Sequence, residues 1–292
     1  MTDKDVLHRF LFDDCDVRGE IVTLVDSYQE VLSNNHYPAP IQRLLGEFLA
    51  AASLLSSTLK FDGMISIQAK GDGPVAMIMA ECNKHRDLRG IARLNPDAPQ
   101  VANEEHSLRA LLGQGVIAIT IEPDKGQRYQ GLVPMESDTL AGCLEHYFYQ
   151  SEQLKTRLWF AADDQVASGF LLQALPRQLH GDEEENQDHW ETLCALSDTL
   201  SREEMLGLDQ KTLLYRLFHE QPLRLFDPAN LRFSCNCSRE RSAQALLSLG
   251  REDVEELLVE RGSIDIDCQF CNRHYHFDAA DVRALVGGDT LH

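Results

Sequence analysis

No stretch of the 292-residue chain carries the run of about 18 apolar side chains that a membrane-spanning helix needs. The longest candidate, Phe48 to Leu55, is too short, so a helical membrane protein is excluded. The opening residues, MTDKDVLHRFLFDDCDVRGE, interrupt their apolar positions with charges every few residues. They lack the apolar core of a secretory signal, and a cytoplasmic protein is expected. Positive charge is scarce as well: 27 Lys and Arg stand against 47 Asp and Glu, a formal net charge of −20. So acidic a surface repels phosphate backbones and anionic lipid, and neither nucleic acid nor membrane is expected as a partner. Internal repeats are missing, and Gly71-Asp72-Gly73 lacks the Gly-Lys-Ser/Thr ending of a phosphate loop, so no nucleotide site is expected.

What is present is ordinary core-forming material. Hydrophobic residues make up 43% of the chain and charged residues 25%, enough for one large domain and a small one. The pattern predicts an α+β fold in three parts. Residues 1–177 read as mixed sheet and helix. A helix is expected over Ile41 to Leu59, after the start signals Pro38 and Pro40 and closed by Lys60. Met64 to Gln68 and Val75 to Ala80 flank the Gly71-Asp72-Gly73 turn as a hairpin. Further strands are expected at Leu88 to Leu94, Val116 to Glu122, Tyr129 to Met135, Arg157 to Ala161 and Gly169 to Ala174, with a helix capped by Asp138 running through Gln150. Near 178 the composition changes to an acidic stretch, with six acids between Asp182 and Glu191. It opens a helical linker over 178–231, in which Ser201 with Glu203 and Glu204 is a start signal and Leu213, Leu214, Leu217 and Phe218 form one stripe. The part at 232–292 places helices at Ser238 to Leu249, Arg251 to Glu260 and Ala279 to Leu285, around two short alternating runs, Ile264-Asp265-Ile266 and Tyr275-His276-Phe277.

Four of the eight cysteines fall in this last part as two close pairs, Cys235-Asn236-Cys237 and Cys268-Gln269-Phe270-Cys271, the second at the tip of the expected hairpin. In a reducing compartment such pairs point to metal or redox chemistry rather than to structural disulfides. Zinc takes four thiolates tetrahedrally, and a Cys-x-x-Cys turn brings two of them to one ion, so Cys235, Cys237, Cys268 and Cys271 are the expected ligands of one zinc ion. The single residue inside the first pair is tighter spacing than usual. His274 and His276 follow closely enough to replace a cysteine, although an alternating strand with a polar face is the simpler reading. A four-thiolate zinc leaves no position for a reactive water, so no catalysis is expected from it. Two uses remain, a permanent staple or a switch. Cys15, Cys82, Cys143 and Cys194 stand alone and read as small buried hydrophobes.

The Cys-x-Cys pair, the spacer and the Cys-x-x-Cys pair, here CNCSRER and CQFCNRHYHF, resemble the redox-regulated bacterial holdase chaperones, the thirty-three-kilodalton heat-shock protein family. The resemblance spans the chain, including VRGE at 17–20, LKFDG at 59–63, KGDGP at 70–74, RYQGLVP at 128–134 and HYFYQSEQ at 146–153. It implies an ATP-independent chaperone rather than an enzyme, inactive when reduced and zinc-bound. It further implies that oxidation pairs Cys235 with Cys237 and Cys268 with Cys271, releases zinc, unfolds the linker, and yields a homodimer that binds unfolding client proteins. By size alone, apolar surface in residues 1–177 is the default client site. Two alternatives stay open. A zinc-stapled binding protein of the nucleic-acid type meets the wrong charge, since 231–292 holds seven Arg, no Lys and eleven acids. A thiol-disulfide oxidoreductase would need its first cysteine at a helix N-terminus, whereas a strand follows this pair.

Overall fold

The helix Ala39–Thr58 buries fifteen of its twenty residues, among them Leu45, Phe48, Leu49 and Ala50 through Ala52. A helix apolar over most of its circumference must be enclosed over most of it, and this one packs against strands of two different sheets, with Gln42, Arg43 and Glu47 only partly buried. It starts at Pro38 with Pro40 in its first turn, and Leu59 leaves it in extended conformation; the expected stop at Lys60 lies outside the described residues. The structure, a computed structural model, describes residues 3–59, 62–98, 101, 107–176 and 183–287. The chain divides into two compact units, Met1–Ser234 and Cys235–His292.

In the first unit one sheet runs in the order Leu223–Leu225, Val6–Phe12, Val17–Leu24, Ala167–Ala174, Thr156–Ala162, and Ala229–Asn230 also pairs with Val6–Phe12. The other runs Arg232–Phe233, Asp87–Leu94, Val75–Asn83, Gly63–Gly71, Gly115–Pro123, Tyr129–Pro134. The α+β reading holds, and the expected strands are present within three residues of their predicted ends, the two strands of the 63–83 hairpin each running three residues further than expected. The hairpin at 63–83 forms in antiparallel register, Met64 opposite Asn83 and Lys70 opposite Met77. Its glycines serve a purpose that the turn signal did not suggest. A Cβ on Gly71 would lie 1.8 Å from the carbonyl oxygen of Leu112, and one on Gly73 would lie 2.6 Å from the same peptide carbon. Asp72 Oδ1 accepts from the Gln114 amide at 2.7 Å, so the turn is shaped to seat the 111–114 backbone. The helix expected from Asp138 is capped instead by Thr139, whose hydroxyl accepts from the Gly142 amide. It runs only over Leu140–Tyr147 before a wider turn at Phe148–Glu152.

Residues 183–218 form three helices, Glu183–Ser197, Arg202–Gly207 and Gln210–Phe218. The first residues of the predicted linker, 178–182, lie outside the described residues, and the acidic stretch from residue 183 on forms the start of the first of these helices. Ser201 and Glu204 make a reciprocal capping box, as their spacing predicted. The predicted stripe Leu213, Leu214, Leu217 and Phe218 is buried, packed with Phe10, Phe12, Ile21 and Phe170 of the first sheet in a core separate from the main one. Phe218 meets Phe12 edge-on at 5.1 Å between ring centroids and lies 6.2 Å from both Phe10 and Phe170. A polar anchor adds to this: buried Gln210 donates to the Val6 carbonyl and to Thr23 Oγ1, and its Oε1 pairs with His8 Nδ1 at 2.7 Å. After these helices the chain crosses both sheets in short steps, bonding at 223–225 and 229–230 to the first and at 232–233 to the second. Its last backbone bond in this unit runs from the Ser234 amide to the Leu88 carbonyl, one residue before Cys235.

The second unit holds the helices Arg239–Leu247, Arg251–Arg261 and Ala279–Gly287 and the hairpin Ile264–Asp267 with His274–Phe277. Ser238 caps the first helix and Gly262 closes the second in left-handed conformation. Its core is small: Ala243, Leu246, Val254, Leu258, Ile264, Tyr275, Phe277 and Val282, with Cys237 and Cys268 packed against it.

Candidate metal centre

The two cysteine pairs sit in different settings, one in an irregular stretch and one at a hairpin tip. Cys235 and Cys237 flank Asn236 in the irregular stretch that ends at the Ser238 cap. Cys268 and Cys271 occupy the hairpin tip, which closes through the Asn272 amide to the Cys268 carbonyl at 2.7 Å and the Cys268 amide to the Arg273 carbonyl at 2.9 Å. Asn272 takes the left-handed conformation, φ 53°, that Asn tolerates better than most side chains. The irregular stretch and the hairpin tip bring four sulfurs together, all within 4.8 Å of one another. The short contacts run across the pairs, Cys235 Sγ to Cys268 Sγ at 3.6 Å and Cys237 Sγ to Cys271 Sγ at 3.4 Å. A tetrahedral ion with bonds of about 2.3 Å to sulfur has edges of about 3.8 Å, so this group is the size that one such ion requires.

Burial raises the Cys235 and Cys271 thiols above their ordinary range. Cys237 goes the other way: burial opposes it, but the hydroxyl of Tyr275, 3.1 Å from its sulfur, and the neighbouring cysteines bring it down to about 7. Tyr275 is a residue that sequence reasoning passed over, although the alternation His-Tyr-His-Phe placed it on the inward face with Phe277. Arg239 is another. Its guanidinium lies over the Phe277 ring at 4.5 Å, donates to the His276 carbonyl and pairs with Asp281 at 2.6 Å, tying the helix that follows Cys237 to the hairpin and the last helix. A sulfur-only tetrahedral set suits a soft or borderline-soft ion rather than magnesium or calcium.

His274 and His276 stand apart from the four sulfurs, grouped with Asp265 on the exposed side of the hairpin. Cys15, Cys82, Cys143 and Cys194 are all buried, and burial lifts the thiols of Cys15, Cys82 and Cys194 to about 11, as befits inert core sulfur. The turn holding Cys268 and Cys271 lies between two strands, so the helix N-terminus that activates the attacking cysteine of a thioredoxin-type site is not what positions this pair. Among the described residues no helix is long and apolar enough to cross a membrane.

The family model described as Hsp33 protein matches residues 5–278. The chain belongs to the Hsp33 family. Membership places it among chaperones. Similar proteins include the 33 kDa chaperonin of Pseudomonas fluorescens strain SBW25, 51% identical over 289 residues that cover 99% of this chain and 95% of the relative. That of Ectopseudomonas mendocina is 53% identical over 286 residues, covering 98% and 96%. The crystal structure of the 33 kDa chaperonin of Thermotoga maritima superposes with a TM-score of 0.82 over 97% of this chain and 98% of that one; at 24% identity this is a likeness of Hsp33 fold.

Proposed function

We propose that this Hsp33 protein is a redox-regulated, ATP-independent holdase of the cytoplasm, held inactive by one zinc ion on Cys235, Cys237, Cys268 and Cys271. The observation that carries the reading is the convergence of four sulfurs, two from an irregular stretch and two from a hairpin tip, on one tetrahedron-sized group. It stands in a unit of about 60 residues, at the lower limit for folding on a hydrophobic core alone. Apparent binding energies of about 10–16 kcal/mol for structural zinc are folding energies in such units.

Oxidation converts the thiolates of Cys235 with Cys237, and of Cys268 with Cys271, to disulfides. Each pair yields two electrons to an oxidant such as hypochlorite, which is reduced to chloride. Sulfurs bonded to each other no longer hold the ion, and the small core that depends on it opens. Chain continuity gives the route onward: Cys235 follows directly on the short bridging strands at 223–233, which follow on the helices at 183–218. The working division is therefore 1–177 as the client-binding and dimerising part, 178–231 as the linker that unfolds, and 232–292 as the switch. Release of the helices uncovers Phe10, Phe12 and Phe170 on the sheet and Leu213, Leu217 and Phe218 on the linker, apolar surface suited to unfolding proteins. The oxidised form acts as a homodimer.

The test follows zinc content and suppression of a model protein's thermal aggregation through hypochlorite treatment, without ATP. About one zinc per chain lost as suppression appears is the expected result. Zinc loss without suppression reduces the site to a staple.

A further inference from the structure

In the hairpin of the second unit the register sets Asp265 opposite His276 and Asp267 opposite His274. All four side chains are exposed, while Tyr275 and Phe277 point inward, as strand alternation requires. Asp265 Oδ1 lies 2.6 Å from His276 Nδ1 and 3.2 Å from His274 Nε2. One donor atom from each of the three residues falls within 4.8 Å of the other two. His274 presents its other ring nitrogen, Nδ1, to Asp267 Oδ1 at 2.8 Å. His274 thus has a carboxylate at each ring nitrogen, and Asp265 Oδ1 is shared between the two imidazoles. Asp267 stands where the outer carboxylate of a metal-bound histidine usually stands, taking one ring N–H, fixing the tautomer and leaving the other nitrogen on the side shared with Asp265 and His276.

We propose that Asp265, His274 and His276 form a second divalent-metal site, sulfur-free and distinct from the four cysteines, with Asp267 as the positioning residue of His274. Imidazole and carboxylate donors suit zinc, cobalt, nickel and copper rather than calcium. Three protein ligands on an exposed face leave positions for water, so binding is weaker and faster to exchange than in the thiolate group. Lacking sulfur, the ligand set is indifferent to oxidants that act on thiolates. The chain's net charge of −20 attracts cations to it.

The experiment titrates full-length reduced protein, first loaded with zinc, with cobalt(II). Wild type is expected to bind one cobalt with the visible bands of a nitrogen and oxygen site and without sulfur-to-metal charge transfer. His274→Ala/His276→Ala is expected to lose that equivalent while keeping its zinc content, and Asp267→Asn to bind it about tenfold or more weakly. An isotherm unchanged in the double variant, or no cobalt bound by wild type, overturns the proposal. Should the double variant misfold, Asp267→Asn decides: unaltered affinity there overturns it too. Cobalt entering with charge-transfer bands would report an unfilled thiolate group, so a failure of the zinc reading is seen separately.

Discussion

Phe218 offers the sharpest handle on whether the linker helices hold the chaperone back. It is 2% exposed and touches Phe10, Phe12 and Phe170 of the sheet. Truncating a buried phenylalanine costs about 3–5 kcal/mol, and here the cost falls on the docking of Gln210–Phe218. Each 1.4 kcal/mol is about tenfold in an equilibrium, so Phe218→Ala should raise the population of undocked helix roughly 100- to 4000-fold. Local openings are cheaper than global unfolding, so an undocked state that is rare in wild type becomes substantial. Expected in reduced, zinc-loaded Phe218→Ala are fast amide hydrogen exchange over 210–218, suppression of client aggregation without oxidant, and unchanged zinc content. Tyr215 on the same helix is 72% exposed, so Tyr215→Ala is the control that should alter none of these. If exchange at 210–218 rises and suppression does not, the stripe is mere packing and the linker mechanism fails.

Three further outcomes follow from the geometry. Tyr275→Phe removes the hydroxyl that donates to Cys237; metal affinity, read by chelator competition, should drop about 10-fold or more, and an unchanged value would show that the contact does not support the site. Gly19→Ala places a Cβ inside the Phe10 ring, 2.0 Å from its Cζ; overpacking of this kind costs about 1–3 kcal/mol, and thermal melting should fall, with an unchanged Tm refuting the contact. Glu47, with burial outweighing Arg202 and Arg43, has its carboxyl raised from 4.5 to about 7. The folded state therefore holds its proton longer than the unfolded chain does, and stability declines as pH rises from about 4.5 to about 7 and is flat beyond. Glu47→Gln should gain Tm relative to wild type between pH 5 and pH 8, and a constant difference would contradict the assignment.

The grouping of the four cysteines was legible because two close pairs stand out against four lone cysteines, and the strands at 63–94 and 115–134 because their alternation is local. The opening pair Val6–Phe12 and Val17–Leu24 was not assigned. Its pattern is broken by His8 and Glu20, both buried, and their compensation comes from far along the chain: Gln210 for His8, Ser57 for Glu20. No local window contains those partners. Gln210 itself reads as an ordinary polar residue at a helix start, since its three bonds reach back some two hundred residues. The caps show a finer limit. Asp138 and Thr139 are both good N-cap residues, and only the hydroxyl at 139 is placed to accept from Gly142.

The bridging steps between the last linker helix and Cys235 pair over three residues at 223–225, two at 229–230 and two at 232–233. A long ladder yields all at once, because breaking any rung exposes the rest; separate rungs of this length yield one after another. On the proposed mechanism, disorder starting at Cys235 therefore meets a series of small barriers rather than one large one, each able to re-form once the cysteines are reduced, so that release would be graded along the chain.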